Sequence, residues 1–329
     1  MNNPILTIGI PTYNRPKNIQ ETVRLLLPQL NDRVKLVVHD NCSDIPVSEL
    51  FTDEEKTKFS IIRNRVNIGG DANIAGVIYH ADTKWVWDLG DDDFPTPSAV
   101  SIIMDKIEKY PDALMLNFNT YKKSHTKNFD ELAKLCSFRY MFSNLLFISS
   151  GVYNRDKLKA DLFQYYKNLS SMVGQAILIL KHLERQPDEL YFFPEKIVHH
   201  SVDGIELELD AKVKPRIHER PNWSRVTFVK RSSVIFEEFE SKRKFLNGNL
   251  FKGIALEYLR IVFDTSMSNA NFFQRISLFC YVARTVGLFN IFRYNSHVLA
   301  QFFVKFILPS SLYRKIKRKA KLKYVEMSK

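Results

Sequence analysis

Cysteine is scarce in this 329-residue sequence: Cys42, Cys136 and Cys280 are an odd number set far apart. None falls in a CxxC pair or a Cys/His spacing, which excludes the usual zinc motifs and a disulfide framework, and a reducing, cytoplasmic compartment is expected. Long apolar runs are missing too. The first residues, MNNPILTIGIPTYNR, place no basic segment ahead of an apolar one, so no secretory signal is expected and the short apolar run reads as a first strand. Near the other end, Phe302, Phe303, Phe306, Ile307 and Leu308 are interrupted by Lys305 and followed by Pro309, too short a stretch to span a bilayer. Internal repeats and low-complexity tracts are also absent.

What is present is the material of a folded protein, 45% hydrophobic and 26% charged residues, in a length that suits two packed units. The net charge of +12 is unevenly spread. Residues 1–210 carry 24 Lys+Arg against 29 Asp+Glu and residues 211–329 carry 24 against 7, or about −5 and +17. A mildly acidic first half joined to a strongly basic second half implies separate jobs, the second facing an anionic surface.

Strand-like and helical patterns alternate through the first 120 residues. Ile5–Ile10, Val34–His39, Phe59–Ile62 and Lys84–Leu89 read as strands; Pro16–Leu30, Asn73–His80 and Ser98–Tyr110 read as helices. This alternation predicts a mostly parallel α/β sheet, whose ligands gather at the carboxyl ends of the strands. Polar loops fall there: Thr12–Arg15, Asp40–Asp44 and Asp91–Asp93. Further strands are predicted at Leu114–Phe118, Phe147–Tyr153 and Leu190–Phe193, with a helix around Ser171–Leu183. Beyond about residue 210 the β signal fades into amphipathic stretches at 226–245, 251–263, 272–286 and 296–308, which read as helices.

The sharpest chemical feature is Gly90–Asp91–Asp92–Asp93, directly after an apolar strand. Three adjacent carboxylates repel one another, and hard oxygen donors of this kind suit Mg²⁺ or Mn²⁺ shared with substrate phosphates. An acidic turn at the positive end of a following helix is the alternative reading. The loops IPTYNR and VVHDNCSD offer small polar and carboxylate groups for a base and ribose, and Asn67–Gly70 adds a glycine pair that lets backbone approach a ligand.

In this order, IPTYNR at 10–15, DNCSD at 40–44, NIGG at 67–70 and the aspartate run at 91–93 followed by Pro97, the sequence resembles the family 2 glycosyltransferases of the GT-A fold. The resemblance covers residues 4–120 and continues loosely to about 205, and a whole-chain impression points within that family to transferases of 3,6-dideoxyhexoses such as abequose. It implies a catalytic domain over 1–208, a Rossmann-like mostly parallel sheet flanked by helices, with a nucleotide-sugar-binding half (1–120) and an acceptor half (121–208). Residues 209–329 are expected to form a helical, basic, membrane-associating region. The resemblance further implies that Pro11, Thr12, Tyr13 and Arg15 line the nucleotide pocket, that Asp40 contacts the base, and that Asn67 and Gly69 sit beside it. The aspartate run would hold the ribose and a divalent metal on the donor diphosphate. Asp92 matches the last aspartate of the family's DxD motif, while Gly90 stands at the motif's first position and leaves the roles of Asp91 and Asp93 to be divided.

An inverting member of that family needs a carboxylate base. Only Asp156 and Asp161 lie in the relevant stretch, so Asp156 is the candidate, and a retaining mechanism stays open. In FFPEKIVHH the pair His199–His200 is expected to follow a strand and stands where such folds supply a third metal ligand, with His200 preferred. Between Lys305 and Lys323 there is no acid, and the preceding aromatic stretch fits an anionic membrane interface. The implied partners are a nucleotide-sugar donor, a glycan or lipid-linked saccharide acceptor and an anionic membrane surface, in bacterial O-antigen or capsule assembly. No nucleic-acid motif accompanies the basic residues. The rival reading is a non-catalytic nucleotide- or carbohydrate-binding protein of the same fold.

Overall fold

The computed structural model describes residues 3–136 and 141–200, except the side chains of 141–143 and 200, together with positions 231, 235, 238, 239 and 280. The chain divides into two compact units, Met1–Arg220 with Lys230–Gly253, and Pro221–Val229 with Ile254–Lys329. The helices expected beyond residue 210 and the basic tail lie outside the described residues, apart from those isolated positions.

The first unit alternates strand and helix as its sequence predicts: β1 (Leu6–Thr12), α1 (Pro16–Leu26), β2 (Val34–Asp40), α2 (Asp53–Lys56), β3 (Ser60–Arg63), α3 (Gly70–His80), β4 (Trp85–Asp88), β5 (Asp93–Pro95) and α4 (Ala99–Lys109). There follow β6 (Met115–Asn117), β7 (Ser124–Thr126), α5 (Phe129–Cys136), α6 (Met141–Leu146), β8 (Gly151–Asn154), α7 (Arg155–Leu158), α8 (Leu162–Lys167), α9 (Gly174–Arg185), β9 (Leu190–Phe192) and β10 (Val198–His200). Eight strands form one sheet in the order β3-β2-β1-β4-β8-β6-β9-β7, and β5 pairs with β10 in a separate ribbon. The pairs β3·β2, β2·β1, β1·β4 and β6·β9 are parallel; β4·β8, β8·β6 and β9·β7 are antiparallel.

Alternation along the strands builds two faces. Leu6, Ile8 and Ile10 of β1 join Leu36 and Val38 of β2, Trp85 and Trp87 of β4, and the inner residues of α1 and α4 in one core. Helix α1 starts on Pro16, whose fixed φ suits a first helical turn, and buries Ile19, Thr22, Val23 and Leu26 at helical spacing. On the opposite face α3 lies very close to β1. A Cβ at Gly9 would come within 2.3 Å of Val77, so only glycine lets this helix reach the strand.

Two departures from the sequence reading have local causes. The strand expected over 147–153 begins only at Gly151, because Ile148–Ser150 close a 3₁₀ turn in which the Ser150 hydroxyl bonds the carbonyls of Asn144 and Phe147. The histidine pair lies within β10 rather than after a strand.

Candidate functional site

In the order β3-β2-β1-β4 the chain first steps outward from β1 and then returns to its other side, so the succession reverses between β1 and β4. The carboxyl ends of strands at such a reversal splay apart and leave a crevice. Thr12 ends β1, the Gly90–Asp93 loop follows β4, and the loop after β2 closes the other side.

Hydrogen bonds join these loops. The Thr12 hydroxyl donates to Asp91 Oδ2 at 2.7 Å. Arg15, at the N-cap of α1, sets one guanidinium nitrogen 2.8 Å from Asp91 Oδ1 and 3.0 Å from Asp92 Oδ2. Burial pulls the Arg15 guanidinium down, but Asp91 and Asp92 beside it outweigh this and hold it charged above its ordinary value. Asp91 is buried, and burial lifts its carboxyl above the usual range despite Arg15 and the Thr12 hydrogen bond.

Asp93 is held differently. Its Oδ2 accepts from the Ser149 hydroxyl at 2.7 Å, and the same Ser149 oxygen accepts from the Gly90 amide at 2.9 Å. The β5·β10 pairing sets His200 opposite Asp93, which brings the expected third ligand to the aspartate loop at the level of the backbone. Asp92 has the most exposed side chain of the Arg15 partners, 18% against 7% for Asp91. A Cβ on Gly90 would stand 2.9 Å from Asp93 Oδ2 and 3.4 Å from Asp92 Oδ1, so glycine keeps open a space that both carboxylates border.

The second loop is tied to the first by Asn14, whose left-handed φ of 54° suits asparagine. Its side chain donates to Asp44 at 3.1 Å and accepts from the Asp44 amide at 2.7 Å. Asp40 is fully buried; its Oδ1 accepts from the Ser43 amide and its Oδ2 from the Val47 amide and Arg63. Burial alone would raise its carboxyl, but these bonds outweigh it and hold Asp40 below the usual range. As placed, Asp40 shapes the loop. Asn67 is likewise engaged within the protein, accepting from Asn41 and from the Gly69 amide, while Gly69, at φ 89°, has open space where a Cβ would be.

Between the two loops lies a cleft of about 200 Å³ lined by Thr12, Asn14, Arg15, Ser43, Asp44, Ile45 and Val47 among others. Pro11 is half-buried at the end of β1, and Tyr13 stands 41% exposed in the β1–α1 loop. Sequence reading passed over Arg63 and Ser149, and took Asn41 and Ser43 only as part of the DNCSD loop. Arg63 follows a strand that looks merely apolar, and Ser149 lies in the turn taken for strand, so neither carried a local signal.

Asp156 is not brought to this site. It is exposed in the first turn of α7, after β8. Because β8 runs antiparallel to β4 with Asn154 opposite Trp85, α7 starts at the amino end of β4, away from the aspartate loop. Asp161 is buried in an ion cluster with His182 and Arg185. Among the described residues no three His, Cys, Asp or Glu side chains converge closely enough to hold a metal ion unaided, and no helix is long and apolar enough to cross a membrane.

Comparison with known proteins places this geometry. The sequence profile of "Glycosyl transferase family 2" matches residues 7–182. The "Putative colanic acid biosynthesis glycosyl transferase WcaA" of Escherichia coli is 25% identical over 122 residues, 36% of this chain and 44% of that protein. Abequosyltransferase RfbV of Salmonella typhimurium is 26% identical over 113 residues, 33% of this chain and 34% of its own. The matches thus span less than half the length of either relative. Among solved structures, residues 1–349 of S. aureus TarS superpose with a TM-score of 0.56 at 12% identity, covering 90% of this chain and 82% of that one. The same protein in complex with UDP gives 0.58 at 14%, covering 86% and 81%. These likenesses show the GT-A fold, and the chain belongs to glycosyl transferase family 2.

Proposed function

We propose that this family 2 glycosyl transferase moves a single hexosyl or deoxyhexosyl unit from a nucleotide-sugar donor to a hydroxyl of a glycan or lipid-linked saccharide, in bacterial surface polysaccharide synthesis. The observation that carries the reading is the cleft between the loops after β1 and β2, two of whose lining residues, Thr12 and Arg15, also bond the aspartate loop at Asp91 and, for Arg15, Asp92. A planar base fits a cleft walled by Ile45 and Val47 with polar groups at Ser43, Asp44 and Asn14, and the exposed Tyr13 lies in sequence between the lining residues Thr12 and Asn14. The TarS structures with UDP and with UDP-GlcNAc support a nucleotide-sugar ligand for the fold. The relatives named for colanic acid biosynthesis and abequosyl transfer support the setting.

Carboxylates bordering the space over Gly90 fit a hard divalent cation, Mn²⁺ or Mg²⁺, because such ions take one or two protein carboxylates and complete their shell with substrate phosphates. Asp92 and Asp93 would hold it, with His200 across the ribbon as the third candidate. Bound there, the cation would neutralise charge on the departing nucleoside diphosphate. The chain's own part is positional. Thr12 and Arg15 keep Asp91 fixed, Ser149 fixes Asp93, and the Asn14–Asp44 clasp keeps the cleft at a set distance from the aspartates. Aligned reactants lower the barrier without covalent help from the protein. The basic stretch from Lys305 to Lys323 is assigned to an anionic membrane surface, where a lipid-linked acceptor resides.

A panel of nucleotide-sugars tested for transfer and hydrolysis, with and without Mn²⁺, checks this reading. One donor should be turned over in a Mn²⁺-dependent way by the wild type and not by Asp92→Ala. Full activity without added metal, or in that variant, removes the metal role. For the tail, flotation with anionic vesicles should be lost when residues 305–329 are deleted; equal flotation of the truncated chain removes the membrane assignment.

A further inference from the structure

The aspartate loop already has a cation, and it belongs to the protein. A single Arg15 nitrogen lies within 3.0 Å of both Asp91 and Asp92. The same side chain lines the cleft beside Asn14, Ser43 and Asp44, so it borders both the carboxylates and the nucleotide space. It is about one-third exposed, against 7% for Asp91, which leaves the guanidinium free to turn while its partner stays buried. Its backbone, by contrast, is fixed between the Asn14–Asp44 clasp and the first turn of α1. A planar guanidinium binds phosphate oxygens as readily as carboxylate oxygens.

We propose that Arg15 is the resident counter-ion of the aspartate loop in the donor-free protein, and that it gives up Asp92 to the divalent cation and turns to the donor's diphosphate. The exchange leaves each charge paired: Asp92 trades its share of the guanidinium for the dication, and the diphosphate gains the guanidinium, which stays beside Asp91. It therefore couples the two ligands. A cation arriving alone must displace Arg15 into open solvent, whereas a cation arriving with a diphosphate gives Arg15 a new partner. The inference rests on the cation and diphosphate of the proposed function, and it makes Arg15 a positioning residue whose removal should strengthen one ligand and weaken the other.

The test measures Mn²⁺ binding to the donor-free, full-length protein by electron paramagnetic resonance, and then binding of the nucleoside diphosphate of the identified donor at saturating Mn²⁺. Arg15→Gln should bind Mn²⁺ alone about tenfold more tightly than wild type and the nucleoside diphosphate about tenfold more weakly, with Arg15→Lys between the two. The rise in Tm on adding Mn²⁺ should be larger in Arg15→Gln than in wild type, a reading that survives if the variant is less stable. Mn²⁺ binding that is equal or weaker in Arg15→Gln but lost in Asp92→Asn overturns the exchange and leaves the cation site standing. Mn²⁺ binding unaffected by Asp92→Asn overturns both.

Discussion

The parallel half of the sheet, β3-β2-β1-β4, and the half beyond it, β8-β6-β9-β7, bury charge in opposite ways. At the carboxyl ends of the parallel strands the buried acids are paired with arginines that each stay about one-third exposed: Asp91 with Arg15, which lines the cleft, and Asp40 with Arg63. On the helical layer behind the second half, the imidazole of His182 is fully buried between Asp161 at 2.9 Å and Asp188 at 3.2 Å. Arg185 and Lys157 complete that cluster from outside. The first arrangement keeps one end of each pair within reach of a ligand. The second closes on itself, tying α9 to its neighbouring turns, and has the character of scaffolding.

Substitutions in the two halves should therefore fail differently. Asp92→Asn is expected to lower sugar transfer by about 1,000-fold, roughly 4 kcal/mol, with thermal stability kept, because it removes a charge from a crowded loop. Steady-state kinetics alongside calorimetry would show this, and a parallel loss of stability would erase the contrast. His182→Ala, which leaves two buried carboxylates without their shared partner, should cost about 3 kcal/mol of stability in urea unfolding. Nucleoside diphosphate affinity should stay within twofold of wild type; a large drop there would mean that the cluster serves the site.

Asp88 tests the seam between the halves. It is fully buried, neither carboxylate oxygen has a hydrogen-bond partner among the described residues, and burial holds its carboxyl well above the ordinary range. A folded-state value raised in this way stabilises the protein at low pH and withdraws that support as the pH climbs above the unfolded carboxyl's range near 4. Asp88→Asn should accordingly unfold a few degrees higher than wild type at pH 8, about 1 kcal/mol, with the gain disappearing towards pH 4. A gain independent of pH would point to packing instead. The smallest expected effect is at Cys42, a non-glycine residue held at φ 64°. Cys42→Gly should stabilise by about 0.5 kcal/mol, relief of the left-handed strain being partly offset by the freedom glycine gains when unfolded, and donor affinity should not change.

The same contrast explains what could be read from sequence. The parallel half was legible because β1 and β4 are apolar runs buried on both faces, and because β1, β2 and β4 are each followed by a polar loop, Thr12–Arg15, Asp40–Asp44 and Asp91–Asp93, as strands of a parallel sheet should be. In the other half the runs at Leu114–Phe118 and Leu190–Phe193 were read as strands and are β6 and β9, but the three-residue β7, like β10 of the separate ribbon, is too short to establish a period. Position in space was the second thing hidden. Asp156 looked like a base in the one-dimensional order, and the reversed direction of β8 carries it to the far end of the sheet. Ser149 and Arg63 act through pairings 56 and 23 residues away, beyond any local pattern.

The central claim, that donor and cation meet at the crevice between β1 and β4, is tested most directly by amide hydrogen exchange of the full-length protein with and without saturating Mn²⁺ and nucleoside diphosphate. Slowed exchange is predicted in the segments 12–15, 40–45 and 89–93, with the 155–161 segment unchanged. Protection confined to other segments, with those three loops exchanging as before, would contradict the account.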